Sequence, residues 1–492
     1  MGDTTKDIKI PYPTEGIIRT AQINDTVCPE NSVQLGVNVN FDSIGTITTR
    51  KGATSIYPTL DTGGATLALG TLDLLASNTH YIFFQVGTAV YRWTGTNTKS
   101  SKRTLTSATN KARFAQFLNR LWMVNGNDGD APMTSNGGNF DTTDVPATFP
   151  KADYISAGFD GRVWIADKSK DIVYYTDIVQ TSGGTTYVSP LTFDITTNFI
   201  STFSPQNGES ITGIFRVPRC LLIFKQNSIY RIFSTTNVDP YPAYNVGTYS
   251  QESIVRTKDG VYFHHSTGFY KFNYDGQPTE ISRRVIDFVK AISRSNYDNI
   301  RGSYDGYDTI KWTVGSVTVE GVTYSNCVLR YTISTQVWTV YDYMLPITAM
   351  VTYDSGTTIS ELAGMTTGVS SGALAILDSG ALDISIRPYF EIIDRWRSFT
   401  AMYAKAKSIS GMMVMSENGG GAAIEYQTEK SAPNQWYSLG KLDEKYDTLL
   451  PSASTKDFNN IRLKIKGFCG ANPILIYGVE ILSIQDKGLN QN

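Results

Sequence analysis

The feature that most constrains this chain is an imperfect repeat: an apolar lead-in, a polar turn, then a strand carrying aromatics. The copies read LDLLASNTHYIFFQ (72–85), FAQFLNRLWMVNG (114–126), YISAGFDGRVWIAD (154–167), ITGIFRVPRCLLIF (211–224), SIVRTKDGVYFHH (253–265) and IRGSYDGYDTIKWTV (300–314). Tyrosine-rich strands follow as second hairpin arms: TAVYRW (88–93), DIVYYTD (171–177), NSIYRIFS (227–234), GFYKFNYDG (268–276) and CVLRYTI (327–333). Aligned on Tyr81, Leu121, Val163, Leu221, Val261 and Ile310, the copies are spaced by 40, 42, 58, 40 and 49 residues. Periods of about 40–50 residues, with about four short strands each, are the mark of propeller blades. Hairpin repeats also build sandwiches and β-helices, but β-helix coils are shorter than this irregular spacing. A further unit at 346–378 runs into ELAGMTTGVSSGALAILDSG (361–380), a hairpin with a small-residue turn. Six copies and this unit make seven blades the expected count, within a range of six to eight.

Composition agrees with an all-β fold. Hydrophobic residues make up 41% and charged residues 18%, the opposite of a disordered chain. The 29 Tyr, 22 Phe and 7 Trp sit beside many Thr and Val, side chains that fill a pleated, half-buried surface. Only one segment has helical period: in SRRVIDFVKAISRS (282–295), Val285, Ile286, Phe288, Val289 and Ile292 share a face and Ser282 is the expected N-cap. A parallel α/β fold needs many such helices and is excluded.

At 492 residues the chain exceeds one ordinary domain. After Asp378 the pattern changes to longer alternating strands: ISIRPYFEII, KAKSISGMMVMS, AAIEYQTEK, NNIRLKIKGF and PILIYGVEIL, with a Gly-rich turn at 418–421. The expected division is an extended N-terminal arm and leading hairpin (1–57), a β-propeller (58–380) and a C-terminal antiparallel β-sandwich or jelly roll (381–492). In the leader, VQLGVNVNF and GTITTR form the hairpin pair. Such a leader can close the ring, lie on a neighbouring subunit, or both, and its polar first 30 residues point to the neighbour.

Lys and Arg total 43 against 45 Asp and Glu, a formal charge of −2, so no basic excess marks a nucleic-acid or acidic-membrane partner. Cys28, Cys220, Cys327 and Cys469 are far apart and form no CxxC pair; they read as small buried hydrophobes in a reducing compartment. The longest apolar runs, such as 220–224, fall far short of the ~20 residues of a membrane span. The start, MGDTTKDIKI, has no apolar signal region, and Lys6 stands where a myristoylation motif takes Ser or Thr. The expectation is a chain soluble where it is made, with no membrane insertion.

The leader also carries a resemblance. SVQLGVNVNFDSIGTITTRKGATSIY (32–57) resembles a leader of tail proteins from short-tailed bacteriophages, at Asn38, Asn40, Asp42, Gly45, Arg50, Lys51 and Gly52. WMVNGNDGDAPM (122–133), the stretch 224–276 and LAGMTTGVSSGALAILDSGALD (362–383) resemble that family's strand-and-turn, central blades and final hairpin. The family comprises tail nozzle proteins of the tail tubular B type and packaged-DNA-stabilising tail hub proteins. The resemblance implies a non-enzymatic virion structural protein, assembled in the bacterial host cytoplasm and located in the tail. It implies a homo-oligomeric, hexameric ring below the portal–adaptor complex, touching tail fibres or other tail proteins. Such a ring encloses the exit channel, retains packaged DNA and conducts double-stranded DNA during ejection, without sequence-specific binding. It does not separate nozzle from hub. The rival reading is a glycan-binding or glycan-cleaving propeller–sandwich protein.

Each candidate for chemistry has a plainer reading. His264 and His265 are neighbours in a strand and face opposite ways, so they cannot share a metal; with His80 they are the only histidines, and no HExxH occurs. Asn125, Asp128 and Asp130 are dense in oxygens like a calcium loop but lack the distal Glu, and Asn-Gly and Asp-Gly are ordinary turns. Asp153, Asp160, Asp167, Asp259, Asp275 and Asp305 recur beside blade turns, where a glycosidase would need two acids at a set separation. Arg283–Arg284 reads as a solvated helix start, and Arg395-Trp396-Arg397 as partners of Glu391 or Asp394. No phosphate loop, GxSxG elbow or nucleophile pairing occurs. No catalytic, cofactor-binding or metal-binding residue is assigned, and the residues lining a DNA channel are not identified.

Overall fold

The computed structural model describes every residue except 1–5, 12, 20–28, 44–45, 61–63, 75–76, 96–97, 127–129, 179–190, 202–207, 240–242, 275, 369–370, 399–406, 433, 444, 450–459 and 487–492. Seven antiparallel blades stand around one axis. Blade I is Thr66–Leu74, Thr79–Val86, Ala89–Gly95 and Thr98–Thr104; blade II is Arg113–Phe117, Arg120–Val124 and Met133–Ser135. Blade III is Tyr154–Ala157, Val163–Asp167, Ile172–Tyr175 and Phe199–Ile200; blade IV is Ile211–Arg216, Leu221–Lys225, Ser228–Ser234 and Asn237–Val238, with Ala243–Tyr244 beside it. Blade V is Val255–Thr257, Gly260–His265, Gly268–Phe272 and Thr279–Glu280; blade VI is Arg301–Tyr304, Thr309–Val319, Val322–Thr332 and Val337–Asp342. Blade VII takes Ile347–Asp354, Ile359–Gly368 and Ser371–Leu377, and its outermost strand is Ala53–Leu60 from the leader. The six residues used to align the repeats all fall in the second strand of their blades.

Inner strands pack on one another around the axis, the step from blade IV to blade V passing through the turn Gln251–Ser253. Ile347–Asp354 packs back on Thr66–Leu74 and closes the circle. A middle strand is covered on both faces by neighbouring blades, so Val163–Asp167 and Gly260–His265 are buried throughout instead of alternating. The apolar core accordingly divides into wedges between blades: Leu72, Leu121 and Phe140 between I and II, Trp164, Leu221 and Tyr230 between III and IV, Phe224 and Phe263 between IV and V. The ring is fastened by backbone pairing of Ala53 with Leu377 and Tyr57 with Leu374.

The sandwich is not independent of this ring. Val33–Val37 pairs in parallel with blade VI through Val37 and Val340, and antiparallel with Tyr389–Asp394. Asn460–Phe468, Ala422–Thr428 and Tyr437–Leu442 continue the same sheet, which thereby runs unbroken from blade VI into the sandwich. The facing sheet contains Val39–Ser43, Thr46–Thr49, Leu475–Asp486, Lys407–Glu417 and Tyr446–Leu449, with Lys6–Ile10 on Leu475–Asp486. Phe390, Ile392, Leu463 and Ile465 of one sheet share a buried core with Met412, Val414, Ile476 and Ile481 of the other.

Two sequence expectations change here. The leader 1–57 is not a unit ahead of the propeller: its strands are shared among both sandwich sheets and blade VII. VQLGVNVNF is broken at Asn38, whose positive φ of 57° sends Val33–Val37 and Val39–Ser43 into different sheets. Among the described residues the leader lies on its own chain: Ile10 pairs with Val479, and the Arg19 amide donates to the Arg284 carbonyl. The helix is also shorter than its periodicity. A 3₁₀ turn Arg283–Val285 leads into Ile286–Ala291 only, and the Ser282 hydroxyl accepts from the Phe269 amide at 3.0 Å instead of capping. Val285, Phe288, Val289 and Ile292 are buried as expected, while Ile286 is only half-buried.

Gly52 marks where the leader crosses the propeller exit. A Cβ there would lie 2.3 Å from the Leu382 carbonyl oxygen, a backbone atom that cannot swing aside. We expect Gly52→Ala to cost about 1–3 kcal/mol in denaturant unfolding; a loss under a few tenths would show that the crossing is slack.

Candidate functional site: the propeller axis and the propeller–sandwich junction

The inner strands enclose a cavity of ≈ 460 Å³ lined by Leu67, Phe114, Phe215, Val255, Tyr304 and Met350 among others. At the end where these strands begin, long polar side chains cross the axis. Arg113 of blade II reaches Glu252, on the turn before blade V, with Nε–Oε1 at 2.8 Å, and Arg301 of blade VI stands 3.7 Å from Oε2. Arg113 also donates to the Asp153 carbonyl at 3.0 Å and lies 4.6 Å from the Tyr154 ring centroid. Gln251 donates across to the Ile155 carbonyl at 3.2 Å. Burial pushes the Glu252 carboxyl up, but Arg113, Arg301 and Lys111 outweigh it and hold its pKa at about 2. Glu252 therefore bridges the axis to Arg113 of the opposite blade II and stands beside Arg301 of the neighbouring blade VI.

The second constellation is the junction. Arg50 and Asp383 are both fully buried and form a two-pronged pair, Nη1–Oδ1 2.8 Å and Nη2–Oδ2 2.6 Å. Arg50 Nε donates to Asn38 Oδ1 at 2.7 Å, and the Tyr343 ring lies 4.1 Å from the guanidinium. Asn38 Nδ2 donates to the carbonyls of Asp342 (3.1 Å) and Tyr389 (2.7 Å), while its Oδ1 also accepts the Asp342 amide at 2.9 Å. Asp383 further accepts the Met344 amide at 2.9 Å, and Asn40 accepts the Tyr341 hydroxyl. Leader, blade VI, the exit of blade VII and the sandwich thus meet on one polar network. Asp383 keeps the guanidinium charged although burial works against it.

Of the residues that carry the tail-protein resemblance, Asn38, Asn40, Arg50 and Gly52 lie in this knot. Lys51 is exposed and supplies its carbonyl to Arg50. The Asp42 side chain and Gly45 lie outside the described residues.

The other residues singled out from the sequence bond to or pack against neighbours within the fold. His264 is buried between the rings of Phe269 and Tyr297, and His265 bonds Thr267 and Asn227 on the opposite face. His80 pairs with Asp73 at 2.8 Å. Asp130 accepts from Asn125 Nδ2 at 3.1 Å and the Thr106 amide at 3.0 Å, stapling a turn; Asp128 lies outside the described residues. Asp153 accepts the Lys168 amide, Asp160 the Trp164 indole, Asp167 the Ser169 amide, and Asp305 the amides of Tyr307, Asp308 and Thr309; Asp275 is outside the described residues. Asp259 is held by Lys271 at 2.8 Å. Arg284 pairs with Glu15 of the leader, Arg283 with Glu280, and Arg397 grips Asp394 at 2.5 and 2.8 Å. Cys220, Cys327 and Cys469 are buried, and Cys28 is outside the described residues. Among the described residues no group of His, Cys, Asp and Glu could hold a metal, and no helix is long and apolar enough to cross a membrane.

Sequence reasoning missed Glu252, Lys311, Glu361 and Asp383. Lys311 is buried in blade VI, bonded to Glu361 and, at 2.5 Å, to Asp378. Its signal was a lysine inside the apolar run TIKWTV, where a charge must find a partner.

These features define a seven-bladed β-propeller fused to a β-sandwich and clamped by its own leader. No known family's sequence profile matches the chain, and no curated protein matches it in sequence. Among solved structures it is similar to virginiamycin B lyase from Staphylococcus aureus, at 12% identity and a TM-score of 0.42 over 65% of this chain and 96% of that one. A streptogramin B lyase follows at 13% identity and a TM-score of 0.41, over 66% of this chain and 97% of that one. The WD40 domain of Neurospora crassa Pan2 shows 7% identity and a TM-score of 0.40, over 68% of this chain and 96% of that one. Likenesses this distant carry no argument about function.

Proposed function

We propose that this chain is a structural subunit of a bacteriophage short tail, of nozzle or hub type, acting as a wall segment of a ring around the DNA exit channel. The observation that carries the reading is the junction: the residues that resemble the tail-protein leader are those that lock propeller and sandwich into one body. A wall segment needs that rigidity, because a hinge between its two halves would let the channel breathe.

The bridged axis bears on where DNA would pass. Arg113, Glu252 and Arg301 cross the propeller's own channel, so the conduit in this reading lies between copies of the chain, not through one of them. A closed cyclic ring, sixfold if the resemblance holds, repeats one heterologous interface until it closes. The described part of the leader pairs within its own chain, and the blades and the sandwich offer further surface for contacts between subunits in this reading. The net charge of −2 suits a passage that does not trap phosphate, since each Lys or Arg contact adds a salt-dependent hold.

The test is quantitative mass spectrometry of purified particles. The reading expects the chain at a fixed low copy number, retained through a high-salt wash. A chain absent from particles that instead gives reproducible binding on a glycan array would overturn it.

A further inference from the structure

Beside the axial ion pairs lies a second cavity of ≈ 220 Å³, which shares Leu67 and Arg301 with the axial one. Its polar wall is Lys111, Arg301 and Asn296; its apolar wall is Leu67, Val314 and Ile347. No carboxylate is among the residues lining it. Glu252 stands on the axial side, committed to Arg113 at 2.8 Å and to Arg301 at 3.7 Å. Lys111 is held at the rim by Asn299 Oδ1 at 2.6 Å, a neutral partner, with the Asp298 carbonyl at 3.5 Å. Arg301, almost wholly buried, donates to the Ser250 hydroxyl and the carbonyls of Asp298 and Ile300, again neutral groups.

Lys111 and Arg301 thus line a cavity whose wall also carries the aliphatic Leu67, Val314 and Ile347. Burial, then the charge of Arg301, lowers the Lys111 ammonium to about 8, with Arg113 adding to the drop and Glu252 and Asp298 only partly opposing it. The volume equals about seven waters, room for a compact molecule and not for a polymer.

We propose that this cavity binds a small aliphatic carboxylic acid, its carboxylate against Lys111 and Arg301 and its alkyl body against Leu67, Val314 and Ile347. The charge supplies the hold and the apolar wall selects a carboxylate over an inorganic anion. The site does not depend on the tail reading, since it is built within one propeller.

Butyrate is the probe, compared with phosphate and chloride at constant ionic strength on the full chain. Butyrate should raise the melting temperature saturably and slow labelling of Lys111 by an amine reagent at pH 8, read by peptide mass spectrometry. Lys111→Met, at a half-buried rim position, should fold and weaken butyrate by about tenfold or more, the worth of one charge-assisted contact. Absence of saturation, or an unchanged response in Lys111→Met, overturns the site. Saturation by phosphate with none by butyrate overturns the carboxylate assignment.

Discussion

Replacing Arg50 by methionine should lower stability by about 3–5 kcal/mol, because it strands a fully buried Asp383 carboxylate without its partner. The loss extends beyond one ion pair: Asn38 Oδ1 loses its Nε donor, and the Lys51 carbonyl loses another. Chemical denaturation followed by both Trp fluorescence and far-UV circular dichroism should show one transition in the wild type. In the variant it should split, the sandwich melting apart from the propeller. Lysine at position 50 should not restore it, since an ammonium lacks the two-pronged fork that meets both Asp383 oxygens. Arg50→Met combined with Asp383→Leu should recover a substantial part, because two apolar groups leave no unpaired charge. A single-variant loss below about 1 kcal/mol would mean that the knot does not hold the two halves together.

The second large effect is on pH. His264 is 1% exposed, and neither ring nitrogen has a hydrogen-bond partner. Burial, with a smaller push from neighbouring His265, lowers its pKa from 6.5 to about 3. Tyr297 and Phe269 flank it with rings that offer no acceptor in line. The unfolded chain takes up a proton as the pH falls through 6.5, whereas the folded chain stays neutral until about 3. Stability is therefore intact above 6.5 and falls below it by about 1.4 kcal/mol per pH unit, or about 2 kcal/mol by pH 5. His265, also lowered by burial, adds in the same direction. Carboxylates held low, such as Glu252, add losses only below their ordinary range near 4.5, while Asp342, Glu361, Glu391 and Asp394, pushed up by burial, work against the histidine loss as the pH falls. His264→Phe keeps an aromatic in the slot and should remove more than half of this slope in urea titrations at pH 7 and pH 5. An unchanged slope would place the titrating group elsewhere.

Blade number was legible in the sequence because a middle strand is covered on both sides and therefore reads as an apolar run that recurs every 40–58 residues. Tyr81, Leu121, Val163, Leu221, Val261 and Ile310 mark equivalent second strands although loop lengths between them differ. The helix was legible as an apolar face but not in length, because Ser282 is drawn to blade V and Ile292 is already extended. What no local pattern carries is pairing across the chain. Arg50 and Asp383 are 333 residues apart, and Asn38 and Asp342 are 304 apart. The leader looked like a unit in front of the propeller because its strands alternate like any hairpin. That Val33–Val37 runs parallel to blade VI follows only from the closed ring, whereas closure of the ring by the leader, through Ala53–Leu60 on blade VII, was among the expected roles. The resemblance pointed to Asn38, Arg50 and Gly52 without giving their work, which is to bury a charge where four segments cross.

The axial ion pairs were illegible for the same reason. Glu252 sits in a Ser-rich turn that looks like ordinary surface, and only ring closure brings Arg113 from the far side. Lys311 gave a local sign, a charge inside an apolar strand, but not the identity of its partners on blade VII.

Immunogold electron microscopy on particles from a lysate containing this chain tests the central claim most directly. Gold at the tail vertex, one cluster per particle, is the result a wall subunit of the DNA exit channel predicts. Unlabelled particles, with the chain free in the supernatant, would contradict it.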